Sequence, residues 1–235
     1  MSNSDQVLRD NLQAVQARIA AACAASARNV QLLAVSKTFS ADDVRQVAAV
    51  GQRDFGENYI QEGVDKIIAL KDIKPALVWH CIGPIQSNKT KLVAEHFDWA
   101  HTVDRLKIAQ RLSDQRPAHL APLNVCLQVN IDGGETKSGI APADVLALAR
   151  EVVTLPYLQL RGLMTIPDPV EGFDAQVAVH AKARALFDEV KAAVNLPQFD
   201  TLSMGMTGDL EAAVHAGSTM VRVGTAIFGG RTYAG

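Results

Sequence analysis

The sequence is poor in the features that mark several large classes of protein. Only three of its 235 residues are cysteine, namely Cys23, Cys81 and Cys126. An odd, widely spaced set in apolar surroundings excludes a disulfide framework or a cysteine zinc cluster and is expected of reduced thiols in the cytoplasm. The six histidines show no metal-ligand spacing, so no metal is assigned. Aromatic residues are 5% of the chain, too few for the stacking platforms that hold single-stranded nucleic acid. A formal net charge of -2 offers no electrostatic attraction to nucleic acid or to an anionic membrane. No stretch reaches the roughly 18 uninterrupted apolar residues of a membrane span. The N-terminus, Met1-Ser2-Asn3-Ser4-Asp5, is polar and leads into an amphipathic segment, unlike a secretory signal. What remains is a soluble, cytoplasmic protein with neither nucleic acid nor membrane as partner.

What is present is a repeated unit. Hydrophobic residues make up 48% of the chain, and its length suffices for one substantial core. Leu8, Leu12, Val15, Ile19 and Ala22 recur at helical spacing and predict an opening helix. Short apolar runs then alternate with helical patterns: strands are expected at 31–35, 52–56, 77–82, 99–103, 123–131, 158–166, 199–203 and 220–223. Ser40 ahead of Ala41-Asp42-Asp43 reads as a helix N-cap, and Pro142 as a helix start. Helices are also expected at 89–97, 106–112, 174–194 and 210–216, and a polar loop at 132–139. Strands that are apolar without alternation are buried on both faces, as in parallel sheets covered by helices. Eight such pairs predict an α/β fold, a (β/α)8 TIM barrel with an extra N-terminal helix, as a single domain over residues 1–235. The alternative, a doubly wound open sheet, lacks its glycine-rich turn, because Ser36-Lys37-Thr38-Phe39 after the first strand contains no glycine.

In such a barrel chemistry sits at the C-terminal strand ends. Those ends collect Lys37, Glu57, Asn58, His80, Asp104, Asn130, Met164, Thr165, Ser203 and Arg222. Lys37 places an amine at the mouth of a buried strand, where desolvation favours the neutral, nucleophilic form. The loops after strands seven and eight, Ser203 to Thr207 and Gly224 to Gly229, are rich in small and hydroxyl residues. Amides of Gly224 and Thr225, with the hydroxyls of Ser203 and Thr225, make a nest of phosphate size. An amine facing such a nest is the donor set of a pyridoxal-phosphate (PLP) site. Each residue taken singly has a plainer account. Lys37 fits a solvated surface charge, Arg222 a partner for a carboxylate, His80 a packing histidine and Asn58 a helix cap. A barrel aldolase using Lys37 without a cofactor also stays open.

Taken together, six ordered segments resemble the pyridoxal-phosphate homeostasis protein family, the YggS/PROSC-like proteins. They are Ala34-Val35-Ser36-Lys37, Phe55-Gly56-Glu57-Asn58-Tyr59, the run from Trp79 to Lys89, Gly162-Leu163-Met164-Thr165-Ile166, the run from Leu202 to Thr207 and the run from Gly217 to Thr225. The resemblance covers nearly the whole chain. It implies a barrel like the N-terminal domain of alanine racemase, with PLP on Lys37 as a Schiff base. It further implies a phosphate held around Ser203, Gly224 and Thr225, Arg222 facing the pyridine nitrogen, and Asn58 and His80 near the ring. An arginine there leaves that nitrogen unprotonated and weakens the ring as an electron sink. The implied role is a PLP carrier in vitamin B6 homeostasis without catalytic turnover, acting as a monomer, with PLP-dependent apo-enzymes as recipients. The alternative is an amino-acid racemase, which would need a second domain; the sequence up to Gly235 is not expected to contain one. Two positions depart from the family pattern: Cys81 replaces a usual phenylalanine, and Thr207-Gly208-Asp209 stands where Ser-x-Asp is usual.

Overall fold

A computed structural model of the chain describes residues 3–24, 28–134 and 138–230. After helix α1 (Asn3–Cys23) come β1 (Gln31–Val35), α2 (Ala41–Ala49), β2 (Asp54–Glu57), α3 (Ile60–Ala69), β3 (Val78–Cys81) and α4 (Thr90–His96). The middle of the chain forms β4 (Trp99–Val103), α5 (Leu106–Gln115), β5 (Leu123–Val129), α6 (Val145–Val153) and β6 (Leu158–Thr165). It continues through α7 (Phe173–Val194), β7 (Thr201–Ser203), α8 (Leu210–Ala216), β8 (Met220–Val223) and α9 (Thr225–Phe228). The eight strands close into one parallel barrel in sequence order, with β8 pairing β1 through Leu33 opposite Arg222. The expected (β/α)8 architecture and its extra N-terminal helix are therefore present.

Local chemistry explains the boundaries. Ser40 caps α2 through a full capping box with Asp43, which satisfies amides that the first helical turn leaves without acceptors. Pro142 opens a single 3-10 turn that runs into α6. Five of the expected strands, β2, β3, β5, β6 and β7, are shorter in the structure, and side chains explain two of the ends. Gln52 is buried but stands outside β2, its amide bridging the carbonyls of Leu32 and Asp54 at 2.8 Å each. Asn130 ends β5 because its side chain accepts from the Gly133 amide and donates to Gly134 O, an Asx-type turn. Part of the expected polar loop, residues 135–137, lies outside the described residues.

Strand periodicity sorts the side chains. Leu32 and Ala34 of β1 and Val221 and Val223 of β8 face outward into the large core shared with the helices, beside Val44 and Val47 of α2. The alternate residues Leu33, Val35 and Met220 join Ile82 in a small cluster inside the barrel. Trp99, Cys126 and Met164 form a second interior cluster. Buried polar groups occupy the interior too: His80, His101 and Ser203 are fully buried and Arg222 is 4% exposed. Burial pushes the thiols of Cys81 and Cys126 up to about 12, so both are inert small apolar groups at neutral pH. No helix among the described residues is long and apolar enough to cross a membrane.

Candidate functional site

The C-terminal mouth of the barrel holds a cavity of about 410 Å³, within the size range of cofactor sites. Its polar lining comes from Lys37, Asn58, Thr207, Arg222, Gly224 and Thr225, and its apolar lining from Val35, Ile82, Ile166 and Met206. Five of the seven residues expected at a site thus meet in one space: Lys37, Asn58, Arg222, Gly224 and Thr225. His80 and Ser203 do not line it.

Lys37 is placed by the turn that follows β1. Thr38 is held at φ 68, a left-handed conformation costly for a β-branched residue. Its amide donates to Glu62 Oε1 at 2.6 Å. On the other side of Lys37, Ser36 Oγ donates to Glu57 Oε1 at 2.6 Å and the Ser36 carbonyl accepts from Lys66 Nζ at 2.7 Å. Lys66, only 5% exposed, also donates to Glu57 at 2.8 Å and to Glu62 at 2.7 Å. A buried lysine thus ties both acids to the two residues that flank Lys37. Burial raises the Glu57 pKa above the ordinary carboxylate range, with Lys66 and Ser36 pulling the other way.

Asn58 does not cap α3, whose N-cap is Tyr59. Its side-chain Oδ1 is buried and has no hydrogen-bond partner. Its position depends on Gly83, because a Cβ at residue 83 would overlap the Asn58 carbonyl oxygen. The loop carrying Met206 and Thr207 is closed by Asp209, which accepts from the Met206 amide at 2.7 Å and pairs with His180 Nε2 at 2.9 Å. Helix α1 braces the same loop: Arg18 donates to Thr207 O at 2.9 Å and forms an ion pair with Glu211 at 2.7 Å. The acid kept in Thr207-Gly208-Asp209 therefore holds the loop, and Thr207 lines the cavity.

Arg222 projects into the barrel from β8. Its guanidinium donates to Ser203 Oγ at 2.8 Å and to Thr165 O at 2.9 Å. Burial lowers its pKa to about 10, which leaves it a cation at neutral pH. Ser203, expected among the phosphate ligands, has its hydroxyl engaged by Arg222 and by His101 Nδ1 at 3.0 Å. His80 lies deeper, bonded to His101 at 2.9 Å and to Asp54 at 3.1 Å and stacked on Trp99 with ring centroids 5.2 Å apart. Cys81 faces the outer core, away from this chain of groups. The sequence reading missed His101, Asp54 and Lys66. The inward phase of β4 marks His101 as a candidate, whereas Lys66 reads as an ordinary helix-surface lysine.

A half-buried lysine at the first strand end of a parallel barrel, facing a buried arginine and a loop of small residues, defines a barrel of the alanine racemase kind. In agreement, the family described as alanine racemase, N-terminal domain, matches residues 10–232. The chain is 56% identical over 229 residues to the pyridoxal phosphate homeostasis protein of Pseudomonas aeruginosa, covering 96% of each. It is 52% identical over 232 residues to the protein of that name in Vibrio cholerae, covering 97% of this chain and 98% of the other. The solved structure of PipY from Synechococcus elongatus with PLP bound matches with a TM-score of 0.83 and 36% identity, over 94% of this chain and 99% of that one. The chain belongs to the pyridoxal phosphate homeostasis protein family.

Proposed function

We propose that this chain binds PLP at the barrel mouth, with Lys37 as the covalent attachment point, and serves PLP homeostasis without dedicated catalytic turnover. The observation that carries the reading is the convergence of Lys37, Asn58, Arg222, Gly224 and Thr225 on one cavity. The residues fit such a group. The buried, unpartnered Oδ1 of Asn58 at the cavity wall calls for a polar ligand. The donor set also matches PLP in kind, with an amine, a cation and a cluster of amides and hydroxyls. When bound, PLP supplies an aldehyde and a pyridine ring that can accept electrons.

In this reading Lys37 would hold the group through its amine, the one nucleophile suited to an aldehyde among the described residues lining the cavity. Gly224, Thr225 and Thr207 would hold the phosphate, and Ser203 would act by supporting Arg222. Arg222, a cation at neutral pH, would face the ring nitrogen and leave it unprotonated. His80 acts from beneath, through His101. Racemisation needs acid–base groups on both faces of a substrate. Of the tyrosines, Tyr157 lies at the N-terminal end of β6, opposite Lys37, and Tyr59 is 57% exposed. Tyr233 lies outside the described residues. In this reading the carrier is a cytoplasmic monomer, and apo-forms of PLP-dependent enzymes are its recipients.

Reconstitution with PLP followed by visible spectroscopy tests the reading. The wild-type protein turns yellow and Lys37→Ala does not. The loaded protein, incubated with L-alanine, forms D-alanine or keto acid far more slowly than about 1 s⁻¹, the low end of enzymic rates. Colourless wild-type protein refutes the binding, and turnover at or above that rate makes the chain an enzyme.

A further inference from the structure

Arg222 is one end of a continuous chain of side chains through the barrel. The other end is Asp54, the first residue of β2, at the barrel floor and 21% exposed. Between them lie Ser203, His101 and His80, with links of 2.8, 3.0, 2.9 and 3.1 Å from Arg222 to Asp54. His101 belongs to β4 and Ser203 to β7, strands that are not neighbours, so this link crosses the interior. The two apolar interior clusters lie apart from one another, and the polar chain shares the same interior.

The proton positions along this chain follow from what each group can do. A carboxylate only accepts, so His80 Nε2 carries the proton it donates to Asp54. A neutral His80 then accepts at Nδ1, which makes His101 Nε2 a donor and His101 Nδ1 an acceptor. Ser203 Oγ donates to that Nδ1 and accepts from Arg222, which has donors only. Every link points the same way, from Arg222 to Asp54, and each ring nitrogen is used once. The charges around the rings are consistent with two neutral imidazoles. Burial depresses the His80 pKa against the opposite pull of Asp54 and Asp98, with Arg161 nearby adding to the depression. Burial depresses that of His101 much further, helped by His80 and Arg222.

We propose that Asp54, His80, His101 and Ser203 form a one-way hydrogen-bond relay through which the acceptor at the barrel floor fixes the direction of the Ser203 hydroxyl, and with it the dipole that Arg222 meets at the mouth. These four are positioning residues acting through Arg222. The relay stands on hydrogen-bond geometry, while its purpose at a cofactor rests on the function proposed above. If Asp54 loses its charge or its acceptor-only character, the direction of the chain is no longer imposed. Both rings can then reverse, with Ser203 accepting from Arg222 and His101 together.

Nitrogen-15 NMR of the histidine rings in the ligand-free protein tests this without any cofactor. In the wild type, His80 and His101 both carry the proton on Nε2 and do not titrate across the neutral range. In Asp54→Asn, whose amide can donate to His80 Nε2, the Nδ1 and Nε2 signals of both rings exchange or mix. His96, His119, His180 and His215 report that the fold is unchanged. A wild-type ring protonated on Nδ1, or a variant in which His80 changes and His101 does not, overturns the relay. The wild-type assignment alone decides the matter if the variant fails to fold. In the PLP-loaded protein, Asp54→Asn shifts the pH titration of the visible band, which a packing role for Asp54 would not do, and an unshifted titration overturns the link to the mouth. Wild-type protein that stays colourless refutes the cofactor reading and leaves the NMR result standing.

Discussion

Replacing Lys66 with methionine isolates the network that positions Lys37. The substitution keeps the length of the aliphatic stem and deletes one ammonium, which now donates to Ser36 O, Glu57 Oε1 and Glu62 Oε1. Glu57 is fully buried, and its Oε2 has no partner even in the intact protein. After the change, the Ser36 hydroxyl alone faces a buried negative charge. Removing one partner of a buried ion pair costs about 3–5 kcal/mol, a large share of a total stability of about 5–15 kcal/mol. For a chain of this size that lowers the melting temperature by roughly 6–20 °C. The pH dependence has a definite sign. The folded-state pKa of Glu57 is already raised by burial, and losing Lys66 raises it further. The folded state therefore holds a proton there more tightly than the unfolded chain, so Glu57 favours folding below its unfolded pKa and loses this as pH rises through the folded value. The variant's deficit should thus shrink in acid, and Glu57→Gln combined with Lys66→Met should restore most of it. Urea denaturation between about pH 5 and 8 measures both effects. A deficit below about 1 kcal/mol that does not vary with pH would refute the argument.

Two further expectations concern the cavity. Pyridoxal, which lacks the phosphate, should bind at least about a hundredfold more weakly than PLP, because losing two charge-assisted hydrogen bonds costs about 3 kcal/mol or more; equal affinities in a fluorescence titration would remove the phosphate nest. Gly83→Ala should weaken PLP binding about tenfold or more, since the added Cβ overlaps the Asn58 carbonyl oxygen and must displace Asn58; unchanged affinity would show that Asn58 does not touch the ligand.

Much of the barrel can be read from local pattern. The bounds of β1, β4, α8 and β8 fall where the apolar runs end, and the capping box at Ser40 marks the start of α2. Lys37 and Arg222 are legible because both follow from strand phase: one stands just past a buried strand, the other between two outward valines. The supports of those residues are not legible, because each is a polar contact between distant parts of the chain. His101 meets Ser203 across 102 residues, and Lys66 reaches back 30 residues to Ser36 O. Periodicity tells which face a residue presents but not which polar group it meets there. A lysine at position 66 of an amphipathic helix looks solvated until α3 is laid against the mouth of β1. Ser203 shows the same limit. Its place at the end of β7 is legible, whereas its hydrogen bonds to Arg222 and His101, from other strands, are not.

Lys37 is the proposed point of attachment for the cofactor. Borohydride reduction of the PLP-loaded protein, followed by peptide mapping, tests it most directly, because reduction fixes the pyridoxyl group on whichever amine held it. The label is expected on the peptide containing Lys37, and none on Lys37→Ala protein that remains folded. A label found mainly on Lys66, Lys89 or any other lysine would contradict it.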